Sequence, residues 1–384
     1  MPAVRPADSW LLGTREHSTT ISPDRRSVYS FDLEGRPLSW YEDGRVYKRS
    51  LSGEVFGRQR VDGRKRYWKL SRDETSSCLD RIRDRLSGTP LERASPTAAG
   101  RLRDILRWTP QALLDERERF DAAYRPISIL PPDQYLSVVL QASFGCSWNR
   151  CTFCSFYQDQ PFVARSADDF RVHAGAVRSL LGRGAGMRRS IFLASGNALV
   201  MANRRLRSVF HIARELFPGR DLNGFVDVFS GERKEMSDWV ELRELGLERV
   251  HVGVETGHDP LLRWLSKPGG GEAAADFVTM LKRAGLRVAV IVMVGVGGRR
   301  FADEHARASV ALVARMPLEK RDIVYLSPFA EQTGSEYDRR ARAAGIEPLD
   351  ADEREVQYRR LREEIRRIHR VVRVTRYDIR ESVY

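Results

Sequence analysis

Three of the chain's four cysteines fall within nine residues, in Phe144-Gly145-Cys146-Ser147-Trp148-Asn149-Arg150-Cys151-Thr152-Phe153-Cys154. Thiols at C-x4-C-x2-C in one loop admit three chemistries. Structural cysteines scatter through a core rather than gather in a loop. A structural zinc site needs a fourth ligand, for which Cys78 or His173 would have to fold in. An iron–sulfur cluster held by three thiolates leaves one iron open, as a catalytic cluster requires. Thiolate softness suits both metals, so it does not decide between them. Position does: the loop follows the first strand of a strand–helix region, and in such barrels the loops at strand carboxyl ends form the active site.

Three regions must position this loop. Residues 1–130 hold β-prone runs at Ser27–Asp32, Pro37–Tyr41, Arg45–Arg49, Glu54–Arg58 and Arg64–Leu70, separated by Glu34-Gly35, Asp43-Gly44, Ser52-Gly53 and Asp62-Gly63 turns. They predict an antiparallel meander, followed by helices at Asp73–Leu86 and between Thr97 and Tyr124. Residues 131–330 alternate strand and helix. The strands are expected at Tyr135–Gln141, Ser190–Ala194, Gly224–Phe229, Arg249–Val254, Arg287–Val294 and Asp322–Leu326, and the last helix at Glu304–Met316. Six βα units imply a parallel sheet with right-handed crossovers, either three-quarters of a TIM barrel or an open doubly wound sheet. Residues 331–384 predict a helical extension ending in a strand near Val371–Arg376 that docks on the sheet. The fold class expected is α/β, with an N-terminal β-meander plus helices and a C-terminal helical extension; of the two sheet forms, the family resemblance given next implies the partial (β/α)6 TIM barrel.

The cysteine loop resembles the cluster-binding loop of the radical S-adenosylmethionine (SAM) superfamily, whose usual form is C-x3-C-x-aromatic-C. Cys151-Thr152-Phe153-Cys154 matches its second half, and the first interval is one residue longer. The other strand ends are similar to the Elongator-catalytic-subunit, methylthiotransferase and nitrogenase-cofactor branch. Ala194-Ser195-Gly196-Asn197 stands where relatives often carry Gly-Gly-Glu, and Gly253-Val254-Glu255-Thr256-Gly257 resembles Gly-x-Glu-Ser-Gly, with Lys267 twelve positions after Glu255. The resemblance implies a [4Fe–4S] cluster on Cys146, Cys151 and Cys154 and a SAM site. There Phe153 touches the nucleoside, Ser195 and Gly196 offer backbone contacts, Glu255 binds ribose or the amino group, and Lys267 binds the carboxylate. Gly295 would pass beside the adenine, and Asp227 or Ser230 would reach the cofactor. His305 reads first as a residue near a helix N-terminus and second as a proton donor.

The same resemblance implies reductive SAM cleavage, a 5′-deoxyadenosyl radical, a reductant such as flavodoxin or ferredoxin, and a small-molecule or tetrapyrrole-like substrate. An RNA-modifying enzyme and a non-catalytic metal or haem carrier are the alternatives. Net charge is +13, but 58 of the 65 basic residues are arginine, spread along the chain among acidic neighbours. Nucleic acid is therefore not the favoured partner. The hairpin Arg58–Lys69 interleaves cations with Tyr67 and Trp68, yet Glu54, Asp62, Asp73 and Glu74 surround it, so a charge-protected edge strand is expected. The longest apolar run, Val288–Val296, is far below the ~20 residues of a membrane span. The first residues hold no signal-peptide core, which makes a cytoplasmic protein the expectation.

Overall fold

The computed structural model describes residues 10–61, 63–89, 94–127, 129–157, 160–381 and 384. Contacts divide these into two compact units. One holds the described residues up to Pro126 with Gly175–Arg189 and Tyr384; the other holds the described residues of 127–174 and 190–381.

The first unit is a seven-stranded antiparallel sheet in simple sequence order. Its strands are β1 (Leu11–Thr14), β2 (Thr19–Asp24), β3 (Ser27–Phe31), β4 (Pro37–Glu42), β5 (Arg45–Arg49), β6 (Val55–Val61) and β7 (Arg64–Lys69). The five expected runs are β3 to β7. The two short leading strands escaped the sequence reading because Gly13 and Pro23 interrupt their β pattern. Alternation sets the faces: Tyr29, Trp40 and Tyr47 are buried, whereas Val28, Tyr41 and Lys48 point to the exposed side. The buried face packs on Cys78, Ile82 and Leu86 of α1 (Arg72–Ser87) and on Leu102 and Ile105 of α2 (Pro96–Leu106). Ser71 and Glu74 close α1 with a capping box. Helix α3 (Pro110–Ala123) brings Glu116 between two buried guanidiniums, at 3.1 Å from Arg36 and 3.2 Å from Arg49. Arg36 also donates to the carbonyls of Leu180 and Leu181, so its charge is fully hydrogen bonded.

The second unit is built on β8 (Ser137–Gln141), β11 (Ser190–Ala194), β12 (Asp221–Asp227), β13 (Leu247–Glu255), β14 (Arg287–Val294), β15 (Ile323–Pro328) and β16 (Arg373–Arg376). All pairs are parallel, and the order β8-β11-β12-β13-β14-β15-β16 never reverses. That settles the choice the sequence left open. A doubly wound sheet reverses its strand order at a switch point; right-handed crossovers that always advance in one direction keep the helices outside and curl the sheet toward a barrel. Strand β16, from the C-terminal extension, is the docking strand expected near Val371–Arg376 and adds a seventh to the six of the βα units. Two-residue strands β9 (Ser143–Phe144) and β10 (Val163–Ala164) pair antiparallel and clamp the base of the cysteine loop. The helices are α4 (Ala167–Leu181), α5 (Asn203–Leu216), α6 (Val228–Gly231), α7 (Met236–Glu244), α8 (Asp259–Trp264), α9 (Gly271–Arg283), α10 (Gly298–Ala314), α11 (Glu336–Ala343) and α12 (Ala351–Ile368). Helix α10 starts at Gly298 rather than near Glu304, because Gly297, at φ +82°, turns the chain directly into it.

Between the starts of the strands, Asp133 ties three elements together. It accepts from Arg249 (2.8 Å) and Tyr325 (2.8 Å) and pairs with His251 (3.0 Å). Burial opposes ionisation of Asp133, but His251, the Gln134 amide and Arg249 outweigh it and hold the carboxyl well below its ordinary range. A depressed folded-state pKa gives stability that is present above the unfolded value near ~4 and is lost as pH falls toward the folded one. Asp133→Asn is therefore expected to lower unfolding free energy by about 3–5 kcal/mol at neutral pH. It should also flatten the loss of stability below about pH 4, read by urea melts across pH.

Candidate active site

The cysteine loop leaves β9 through Gly145, at φ +68°, where a Cβ would lie 2.4 Å from the Pro161 carbonyl oxygen. From there it is sewn to the segment that follows α8. The Trp148 indole N–H donates to the Ser266 carbonyl (2.8 Å), and the Thr152 N–H donates to the Leu265 carbonyl (3.0 Å). On the other side the Tyr337 N–H donates to the Thr152 carbonyl (3.2 Å). Two segments beyond the strand ends thus hold the loop, and Cys146, Cys151 and Cys154 line one cavity of about 220 Å³.

Phe153, Phe156, Phe225, Ile291 and Met293 make much of that wall apolar. Glu255 and Lys267 also line it. They pair at 2.7 Å with side chains only 12% and 10% exposed. Glu255 sits at φ +61° where the β13–β14 register shifts, so the strand end is bent to present its carboxylate. Gly253 makes room for the pair: a Cβ there would lie 2.6 Å from Glu255 Oε1 and 3.3 Å from Lys267 Nζ. Burial works against the Lys267 ammonium, yet the facing carboxylate outweighs it and holds the group above the ordinary lysine range. Burial likewise pushes the Cys151 thiol up to about 12 and the Cys154 thiol up to about 11. Both stay protonated at neutral pH in the metal-free protein, and loading a metal there must release protons.

The three thiols fit an iron–sulfur cluster better than a single ion. Among the described residues, no group of three or more His, Cys, Asp or Glu side chains is placed to hold one ion. A four-iron cube is larger and calls for thiols around a cavity wall. Neither candidate fourth zinc ligand is at hand. Cys78 is buried in the core of the first unit, and His173 Nε2 accepts the Gln141 N–H at 2.9 Å.

The remaining expected residues divide. Gly196 lines the cavity and abuts the loop so closely that its Cβ would lie 2.3 Å from the Gly145 oxygen. Its N–H donates to the Tyr157 hydroxyl (2.7 Å). Ser195, Ser230 and Gly295 are not among the lining residues. The Ser195 hydroxyl meets Gln141 (3.3 Å), and the Gly295 N–H donates to Gln357 of α12 (2.7 Å). Ser230 donates to Asp227 (2.9 Å), which caps α6 and pairs with Asn197. Asn197 and Ser230 each reach Ser147 of the loop at 3.3 Å, so this network braces the loop, while Asn197 and Asp227 also line the cavity. His305 is buried, and burial lowers it to about 4, which keeps it neutral. Its Nε2–H donates to the Met293 carbonyl (2.9 Å) and Nδ1 accepts from Thr256 (2.7 Å), a clamp between strand ends with its one proton engaged. Sequence reasoning missed Tyr157, Phe225, Gly253 and Tyr377 in the wall. Gly253 was legible in the strand-end motif; the aromatics carry no local signal.

Residues 140–310 match the Radical SAM superfamily. The chain therefore carries a radical SAM domain, and enzymes built on it use a [4Fe–4S] cluster and SAM. No curated protein matches the chain at a significant level. Among solved structures it is similar to coproporphyrinogen III oxidase HemN from Escherichia coli, a radical SAM enzyme, at 17% identity over 69% of this chain and 57% of that one, with a TM-score of 0.47. Methylornithine synthase PylB matches at 15% identity over 80% of this chain and 82% of that one, TM-score 0.44. Elp3 of Methanocaldococcus infernus matches at 13% over 62% and 56%, TM-score 0.43. The chain thus spans little more than half the length of HemN and Elp3. No helix among the described residues is long and apolar enough to cross a membrane.

Gly196→Ala puts a Cβ against the Gly145 carbonyl at a positive φ, so the loop must shift. The expected result is a loss of about 1–3 kcal/mol in stability, with iron content after anaerobic reconstitution falling well below wild type while the far-ultraviolet dichroism is retained.

Proposed function

We propose that the protein cleaves SAM reductively and uses the resulting 5′-deoxyadenosyl radical to abstract hydrogen from a small or tetrapyrrole-like organic substrate. One observation carries this reading: three cysteines line the same largely apolar cavity as a buried acid–base pair. Cys146, Cys151 and Cys154 would hold a [4Fe–4S] cluster, which when bound supplies the single electron that breaks the carbon–sulfur bond of SAM. An external one-electron donor of the flavodoxin or ferredoxin kind would replenish it.

The chain's own residues bind, orient and exclude water. Glu255 and Lys267 already hold opposite charges 2.7 Å apart. The ammonium and carboxylate of an α-amino acid offer each a partner of the same sign as the one it leaves, so the zwitterion can insert without stranding a buried charge. Phe153, packed against Leu261, Leu265 and Met293, is a rigid apolar face for the nucleoside. Ser195, Ser230 and Gly295 act from behind the wall, through the backbone and the Asp227 network. The apolar lining keeps water from a reactive radical.

Residues before the first strand (Ile129) and after the last (Tyr377, Ile379) join the wall, so both edges of the incomplete barrel reach the cavity. An opening between those edges would admit an organic substrate. Residues 131–330 carry the chemistry in this reading, and the segment 331–384, whose Gln332, Tyr377 and Ile379 stand in the wall, helps select the substrate.

Anaerobically reconstituted protein is expected to bind about four irons per chain and, once reduced, to form 5′-deoxyadenosine from SAM. Replacing Cys146, Cys151 and Cys154 together by Ala should abolish both, whereas Cys78→Ala should keep its iron; a triple variant that retains iron and visible absorbance overturns the reading. Lys267→Ala should weaken SAM binding roughly ten- to a hundredfold in titration calorimetry while iron content stays at the wild-type level.

A further inference from the structure

The exposed face of the N-terminal sheet is ordered in a way its sequence conceals. Register places Val28, Tyr41, Val46, Arg58 and Tyr67 in one continuous cross-strand row, from β3 to β7. The adjoining row on the same face is Ser30, Ser39, Lys48, Phe56 and Lys69. Directly opposed residues stand about 5 Å apart, so each row is contiguous. Tyr41 and Tyr67 are 43% and 46% exposed, Lys48, Arg60 and Lys69 are exposed, and Phe56 and Arg58 half-buried.

Acidic residues are sparse on this surface. Strands β3 to β7 contain one, Glu42, and it is buried on the covered face beside Tyr29 and Arg85. Of the acids that surround the last hairpin in sequence, two belong to α1 and one, Glu54, neutralises Lys69 at the rim of the face. Glu74 caps α1, Asp73 is in its first turn, and Glu54 precedes β6, pairing with Lys69 (2.6 Å) and with Arg117 (3.2 Å). Asp62 lies outside the described residues.

We propose that this sheet face binds single-stranded nucleic acid, with unpaired bases stacking on Tyr41, Tyr67 and Phe56 and phosphates meeting Lys48, Arg58 and Arg60. An antiparallel sheet face with solvent-reaching rings interleaved by cations matches both needs of such a strand, π-faces for bases and positive charge for the backbone. A duplex hides its bases and can use only the charge. The proposal concerns the first unit alone and stands whether or not the parallel-sheet unit cleaves SAM.

The test is fluorescence anisotropy on the full, reconstituted chain with labelled oligouridine, oligothymidine, a duplex of equal length and a polyglutamate peptide, at ~50 and ~200 mM salt. Both single strands should bind, with the duplex and the peptide much weaker; the tighter single strand identifies RNA or DNA as the source. Tyr41→Ala and Tyr67→Ala should each weaken binding about five- to a hundredfold, and Tyr67→Phe should restore it because the ring remains. Lys48→Glu with Arg58→Glu should lower the salt slope by roughly 1.4, about 0.7 for each phosphate no longer neutralised. Thermal melts and iron content matching wild type show that the variants are folded and loaded. Absence of single-strand binding at ~50 mM salt, equal binding by the folded alanine variants, or equal affinity for duplex or polyglutamate overturns the proposal. Failure of the SAM-cleavage assay alone leaves this result untouched and overturns only the catalytic reading.

Discussion

A lysine and a glutamate, almost wholly removed from water, face each other in an otherwise apolar cavity wall, and much of the second unit is arranged so that they can. Isolated, either charge would be costly to bury by several kcal/mol. Keeping both requires the bent end of β13, the missing side chain of Gly253 and the turn through Ser266, at φ +55°, that brings Lys267 back over the strand. The cysteine loop is hung on that same turn through the Leu265 and Ser266 carbonyls. The charge pair and the thiols are therefore one construction, held by shared backbone hydrogen bonds.

Other polar groups in and behind the wall have a different task. Asp227, Asn197, Ser230 and Ser147 satisfy one another, as do His305, Thr256 and the Met293 carbonyl. Buried polar groups satisfied in this way specify one arrangement of strand ends, because any shift leaves a donor or acceptor unpaired. The parallel sheet itself supplies only hydrophobic cohesion and direction; these networks set the positions of its loops.

The first unit solves the burial of charge by another route. Arg36 and Arg49 share Glu116, Asp32 accepts from Arg36 Nε, and the Leu180, Leu181 and Leu113 carbonyls accept from the guanidinium ends. With Glu42 drawn inward and Glu54 paired at the rim, the open face of β3 to β7 carries mainly rings and cations. The basic excess of the chain is thus unevenly expressed on this unit even though it is evenly spread in sequence.

The ligand-bearing loop was legible in the sequence because Cys146, Cys151 and Cys154 are close in the chain, and local spacing survives folding. Glu255 and Lys267 were legible for the same reason, twelve residues apart across one strand end and one short helix. The alternation of six strands and helices determined the fold class. Whether the sheet curls or opens was decided only by strand order, which depends on long-range pairing. Ser195, Ser230 and Gly295 lie in strand-end segments that reach the site, but only tertiary hydrogen bonds determine whether such a residue faces the cavity or braces it from behind. The surface of Tyr41, Lys48, Arg58 and Tyr67 is decided by register alone: a side-chain period of two, repeated over five strands, gathers residues from four separate runs of sequence.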